Sequence, residues 1–296
     1  MKELTIISGK GGTGKTVVTA GFASLAGDKV MADCDVDAAD LHLILWPTVK
    51  YRENFYGSRS AFIKRELCNE CGKCQEVCRF EAISNDFVVD KVSCEGCGVC
   101  TYFCPRKAIG LRDNLSGEWF ISETRFGPMV HAKLGIAEDN SGKLVALVRY
   151  QARLIAEENG HQLIIIDGPP GIGCPVIASI AGVDSVLVVT EPTLSGIHDM
   201  KRVVNLATRF KIKTLVLINK YDLNLVVTKQ IEDYCLTNRI QLAGKLSFDT
   251  VITEAMVAGK SVIEYSDREV SAEIRKVWDN ITGALGLRGG EQSLQT

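Results

Sequence analysis

The octapeptide Gly9-Lys10-Gly11-Gly12-Thr13-Gly14-Lys15-Thr16 fits the spacing G-x-x-x-x-G-K-[ST], and its flanks restrict the chain as much as its core does. Leu4-Thr5-Ile6-Ile7 before it reads as a short buried strand. Residues 15–26 after it read as a helix, with Val17, Val18, Phe22 and Leu25 apolar. Glycines let the backbone wrap closely around a phosphate, and the N–H groups at the helix start point at the anion. Lys15 would neutralise the β and γ oxygens of a nucleotide, and the Thr16 hydroxyl would ligate Mg²⁺.

The strand–helix alternation continues along the chain. Val30-Met31-Ala32 starts a second strand that ends at Asp33. Strands are predicted at 163–166, 185–190, 214–218 and 241–246, with helices at 151–159, 196–210 and 226–238. Ile274, Val277, Trp278, Ile281 and Leu285 form the apolar face of a last helix, and the tail 289–296 is expected to fray. Short apolar strands alternating with helices predict an α/β fold: a P-loop NTPase with a mostly parallel sheet and helices on both faces.

A composition shift interrupts this pattern. Of eleven cysteines, eight lie between Cys68 and Cys104, and Cys34, Cys174 and Cys235 are scattered. The eight form two runs: Cys68, Cys71, Cys74, Cys78, and, 26 residues later, Cys94, Cys97, Cys100, Cys104. An Ala-Ile pair, Ala82-Ile83 and Ala108-Ile109, repeats at the same offset. Both runs read C-x₂-C-x₂-C-x₃-C, the two-cluster ferredoxin spacing, in which the fourth cysteine of each run ligates the other cluster. Cys68, Cys71, Cys74 and Cys104 are therefore expected to hold one [4Fe–4S] cluster, and Cys94, Cys97, Cys100 and Cys78 a second. Arg79 stands where a proline is expected after the fourth cysteine of the first run. Zinc takes paired C-x₂-C knuckles, so a third cysteine at that spacing would be surplus. The expected organisation is an ATPase domain in two parts, 1–56 and 118–296, around a small bacterial-ferredoxin-like α+β insert at 57–117.

Acidic motifs surround the glycine loop. Asp33-Cys34-Asp35-Val36-Asp37 follows the second strand, where a carboxylate can hold Mg²⁺ or orient a water. Leu163-Ile164-Ile165-Ile166 delivers Asp167, followed by Gly168-Pro169-Pro170-Gly171, whose glycines could let the loop respond to a γ-phosphate. Asn219-Lys220-Tyr221-Asp222 ends another strand and is formally the N-K-x-D of guanine readers, which leaves GTP open beside ATP.

Lys10, a second lysine inside the loop, makes the sequence resemble the deviant-Walker P-loop ATPases, the MinD/ParA/Mrp group that also holds the nitrogenase iron protein. The resemblance implies a nucleotide-sandwich dimer, homodimeric or formed with a paralogous ATPase, in which Lys10 reaches the partner's phosphates. It implies that Asp35 positions the attacking water, that Asp33 lies nearer the metal, and that Asp167 belongs to the Mg²⁺ shell. It also implies that Asn219 contacts adenine, with Leu246-Ser247-Phe248-Asp249 near the base. Lys10, Lys15, Asp35 and Asp167 are thus the catalytic candidates, Asn219 and Asp222 the base-side candidates, and ATP/ADP, Mg²⁺ and two clusters the expected cofactors. The nitrogenase iron protein carries a cluster cysteine near the position of Cys174, but its other ligand has no counterpart here. Cys174 is accordingly read as a packing or redox-sensitive residue, and Cys34 and Cys235 as small hydrophobes. His42, His131, His161 and His198 show no ligand spacing.

Lys+Arg number 34 and Asp+Glu 36, a formal charge of −2, which offers no general field for nucleic acid or anionic lipid. No apolar run is long enough to cross a membrane, the last helix lacks the basic face of a membrane anchor, and no signal-peptide pattern opens the chain. These features point to the cytoplasm, where few disulfides persist. Three roles follow as expectations: an ATPase whose nucleotide state controls the cluster module and its redox or client partner, a cluster carrier or scaffold, or a positioning switch with redox-sensing clusters.

Overall fold

The computed structural model describes residues 1–135 and 141–287, so the tail expected to fray lies outside the described residues. The chain divides into two compact units. The larger comprises Met1–Arg52, Trp119–Lys133 and the chain from Ser141 onward; the smaller comprises Glu53–Glu118 with Leu134 and Gly135. The strands are β1 (Lys2–Ser8), β2 (Lys29–Asp33), β3 (Thr48–Phe55), β4 (Ser58–Ile63), β5 (Ile109–Asn114), β6 (Gly117–Thr124), β7 (Gly127–Leu134), β8 (Leu163–Pro170), β9 (Ser185–Thr190), β10 (Lys213–Asn219) and β11 (Gln241–Leu246).

Nine strands form one sheet in the order β11-β10-β9-β1-β8-β2-β7-β6-β3. Parallel pairing joins β1 to β8 and β9, β10 to β9 and β11, and β2 to β8 and β7. The alternation of strand side chains explains the two-sided core. Leu4, Ile6, Met31, Ile165, Leu187 and Leu215 pack under one helical layer that includes Lys15–Leu25, Val251–Val257 and Glu269–Leu285. The alternate residues Ile7, Val30, Ile164, Ile166, Val188 and Ile218 are also fully buried, or 1% exposed at most. The helices Ser141–Asn159 and Leu194–Arg209 pack on β2 and β9. This is the α/β fold with a mostly parallel sheet that the alternation predicts.

Several elements differ from the sequence reading. The helix predicted at 151–159 begins at Ser141, ten residues earlier, because Ser141-Gly142 has turn composition but Gly142 sits in the first helical turn against Cys174. Arg149 of that helix donates to the carbonyls of Ala178 (2.7 Å) and Ala181 (3.0 Å) and pairs with Glu3 on β1, which fixes the helix Cys174–Ile180 to the sheet. β8 runs through Asp167 to Pro170. Within it, a Cβ at Gly168 would lie 2.6 Å from the Ile7 side chain, so this glycine serves close strand packing. β3, β6 and β7 were not read as strands. β3 is exposed over almost its whole length, and an edge strand wet on both faces gives no burial pattern to read.

His131 on β7 is structural. Its Nε2 lies 2.8 Å from the Ser122 hydroxyl and its ring stacks on Phe120, 4.9 Å between centroids. Burial, helped by the neighbouring His42, pulls its pKa down to about 4. In the unfolded chain the imidazole titrates near 6.5. Between those values the unfolded state binds more protons than the folded one, so stability falls as the pH drops from 6.5 to 4. The shift corresponds to about 3 kcal/mol. Denaturant melts of His131→Gln should lose that dependence, leaving a flatter acid limb than the parent.

In the smaller unit β4 and β5 pair antiparallel, from Ser58 opposite Asn114 to Ile63 opposite Ile109. A bridge joins Ile83 to Val89 between the two cysteine runs. The 26-residue sequence repeat is also a repeat of backbone conformation. Gly72 and Gly98 take φ of 73° and 77° ahead of the short helices Lys73–Glu76 and Val99–Phe103. Glu70 and Gly96 take 55° and 61°, and Glu81 and Lys107 take 51° and 50°. These left-handed residues reverse the chain at matching points in each half.

Candidate functional site

In an open parallel sheet ligands bind outside the strands' carboxyl ends, and the polar groups collect there. The loop Gly9–Thr16 follows β1, Asp33 ends β2, Glu191 follows β9 and Asn219 ends β10. Gly14 caps the helix Lys15–Leu25 with φ 92°, and a Cβ there would lie 2.4 Å from Asn219 Nδ2. Only glycine meets both demands. Side chains at Gly11 and Gly12 would meet nothing within 4 Å, so the middle of the loop is open, whereas Gly9 packs against Asp199.

Lys15 is 6% exposed, and its Nζ lies 3.4 Å from Asp35 Oδ2. Asp33 and Asp167 are register partners on β2 and β8, and both are buried. One oxygen of each is satisfied. Asp33 Oδ1 accepts the Asp35 N–H at 3.2 Å, and Asp167 Oδ1 accepts the Thr19 hydroxyl at 2.9 Å. The other two, Asp33 Oδ2 and Asp167 Oδ2, are buried without a hydrogen-bond partner, as is Thr13 Oγ1. Burial, reinforced by the facing Asp167, holds the Asp33 carboxyl well above the usual carboxylate range. Burial also raises Asp167, against the opposing pull of Lys15, Thr16 and Thr19. It raises Asp35 as well, opposed by Lys15. Orphaned buried carboxyl oxygens are costly, and a hard divalent cation is the ligand that suits them.

Lys10 lies on its own chain's Glu191, with Nζ–Oε1 at 2.6 Å, and donates to the Ser195 (3.2 Å) and Thr193 (3.4 Å) hydroxyls. Lys220 approaches the other Glu191 oxygen at 3.6 Å. The sequence reading missed Glu191, although a carboxylate one residue past a strand's carboxyl end was a signal for it. It also missed Thr19, four residues after Lys15 on the same helix face. The two base-side candidates bind backbone. Asn219 Nδ2 donates to Thr13 O at 2.8 Å, and Asp222 Oδ1 accepts the Phe248 N–H at 2.8 Å.

The eight clustered cysteines divide between two cavities. Cys68, Cys71, Cys74 and Cys104 line one, together with Ile63, Phe87 and Ile109. Cys78, Cys94, Cys97 and Cys100 line the other, together with Val77, Phe80 and Ile83. Each cavity thus takes three cysteines from one run and the fourth from the other. Burial raises the Cys74 thiol, with charges at Cys68 and Cys104 adding to it. Burial pushes the Cys100 thiol up to about 11, aided by Cys94, Cys97 and Cys78. Backbone N–H groups of Glu70, Ala61 and Ala108 donate to Cys68, Cys94 and Cys104 sulfurs at 3.4, 3.4 and 3.3 Å. Among the described residues, no group of three or more His, Cys, Asp or Glu side chains converges on a single ion position.

Of the scattered thiols, Cys34 and Cys235 are buried, and burial pushes both up, Cys235 to about 11. Cys174 is exposed at the start of the helix Cys174–Ile180, beside Gly142. Among the described residues, no helix is long and apolar enough to cross a membrane.

The chain is 32% identical over 284 residues to the uncharacterized protein MJ0578 of Methanocaldococcus jannaschii, covering 94% of this chain and 96% of that one. It is 25% identical over 285 residues to MJ0579 of the same organism, covering 90% and 94%. In fold it is similar to the septum site-determining protein MinD of Pyrococcus horikoshii, solved with Mg-ADP, at a TM-score of 0.59 and 17% identity, covering 97% of this chain and 98% of that one. A family model described as the CobQ/CobB/MinD/ParA nucleotide binding domain matches residues 4–262. The chain belongs to this MinD/ParA family of P-loop nucleotide-binding proteins.

Proposed function

We propose that the chain is a Mg²⁺-dependent ATPase whose nucleotide state governs an inserted module of two [4Fe–4S] clusters. The observation that carries this reading is the crossed partition of eight cysteines between two cavities in a chain that also has the nucleotide loop. A single zinc ion needs ligands closing on one point, whereas a four-iron cube spreads its four thiolates around a cavity. When bound, the clusters supply one-electron chemistry and the nucleotide supplies the phosphoanhydride bond.

The chain's own residues have distinct tasks. The loop amides and Lys15 bind the phosphates, and Lys15 exchanges its Asp35 partner for them. Asp33, Asp167 and Thr16 would hold the cation, whose charge would favour the ionised form of the two buried carboxyls. Asp35, released from Lys15, orients the attacking water. Asn219 braces the loop through Thr13 O. ATP is favoured over GTP because one Asp222 oxygen is already bound by the Phe248 amide, whereas a guanine reader needs that carboxylate for the base.

Lys10 acts in trans across a nucleotide-sandwich dimer, with a second copy or a paralogue, after leaving Glu191. The existence of two related chains in one organism supports the paralogue arrangement. Lys10→Ala should lower steady-state phosphate release by about a thousandfold or more, the scale on which trans cations act, without changing iron content. Turnover equal to the parent in that variant would contradict the trans role.

A further inference from the structure

The two cysteine sets are equivalent by the 26-residue repeat, yet their surroundings carry different charge. At matched positions, Asn69 lines the first cavity where Glu95 lines the second, and Lys73 lines the first where Val99 lines the second. Beside the crossed fourth ligands, Lys107 follows Cys104 of the first set, and Glu81, in the same left-handed conformation, follows Cys78 of the second. The arginines there balance, with Arg106 near Cys104 and Arg79 next to Cys78.

The acidic groups of the first run are neutralised within the unit. Glu70 pairs with Arg65 at 3.4 Å, and Glu76 pairs with Lys73 at 3.0 Å. Glu95 has no ion-pair or hydrogen-bond partner among the described residues. Sulfur hydrogen bonding adds to the difference. The first set receives backbone N–H groups at both Cys68 and Cys104, while at the matching sulfurs of the second set, Cys94 and Cys78, only Cys94 receives one.

Lys73 is neutralised by Glu76, so the difference rests on Asn69 against Glu95, Lys107 against Glu81 and the sulfur hydrogen bonds, which all act in the same direction. Reduction adds a negative charge to a site, so nearby cations and N–H donors favour it and a nearby carboxylate opposes it. We infer that the two sites have unequal reduction potentials, with the Cys68/Cys71/Cys74/Cys104 site the higher and Glu95 the residue that lowers the other. A single electron given to the module therefore rests on the first site. Exchange within the chain oxidises the second site by one electron and reduces the first by one, with no net change. This inference rests on the two-cluster reading.

The test is a dithionite titration of the full chain, followed by EPR, on the parent, Glu95→Gln and Lys73→Gln. Glu95 and Lys73 are both exposed, so the variants should fold as the parent does. The parent should show two separated midpoints. Glu95→Gln should ease reduction of the lower site by about tenfold, or about 59 mV for one electron, and leave the upper one in place. Lys73→Gln, which also frees Glu76, should lower the upper midpoint only. One shared midpoint, or a Glu95→Gln shift in the upper midpoint or in neither, overturns the inference while the clusters themselves stand. A chain that carries about eight irons and gives two cluster signals supports the underlying reading independently of these shifts. A chain without cluster signals overturns both.

Discussion

Lys15→Ala is expected to reduce ATP turnover by at least about a hundredfold, the cost of removing one preorganised charge from a phosphoryl-transfer site. Among the described residues, the Lys15 ammonium is the cation placed inside the carboxylate cluster, 3.4 Å from Asp35 and attracted by Asp33 and Asp167. Without it, the phosphates would meet three acidic groups with no countercharge from their own chain's loop except the metal. Lys15→Arg should recover little, because a planar guanidinium cannot replace a compact ammonium in a site that is 6% exposed. The measurement is steady-state phosphate release with MgATP, using the iron content of the same preparation as the folding control. Turnover within twofold of the parent at normal iron content would contradict the assignment.

Paired cysteine substitutions should give an equally large and more discriminating effect. Cys104→Ala combined with Cys71→Ala removes two ligands from one crossed set, so iron should fall from about eight to about four per chain and go no lower. Cys104→Ala combined with Cys97→Ala takes a ligand from each set, and iron should approach zero. If each run instead held its own cluster, the outcomes would reverse. Cys71 and Cys97 are exposed and Cys104 is half-buried, so none of these changes truncates a fully buried side chain.

The positions of the P-loop, the two aspartates and the strand-end asparagine were legible because each is a local pattern, a strand followed at once by a glycine loop or a polar residue. Asp33 and Asp167 lie more than a hundred residues apart, but each announces itself by the apolar run before it. The crossed cysteine expectation needed only spacing and a repeat. What stayed hidden depends on tertiary packing. The Lys10–Glu191 contact joins distant loops, and nothing near Lys10 in sequence indicates it. Asn219 and Asp222 resemble base readers in sequence, yet the fold engages them with the backbone at Thr13 and Phe248. β3, β6 and β7 border the cysteine segment, where polar, aromatic and glycine residues blur the alternation that identifies a strand.

The central claim is that nucleotide state reaches the cluster module. EPR of the dithionite-reduced full chain, prepared without oxygen and recorded with and without MgATP, tests it most directly. The account predicts that saturating MgATP changes the line shape or shifts a midpoint, and that Lys15→Ala shows no such change. Superimposable spectra and equal midpoints, in a preparation that hydrolyses ATP and holds both clusters, would contradict it.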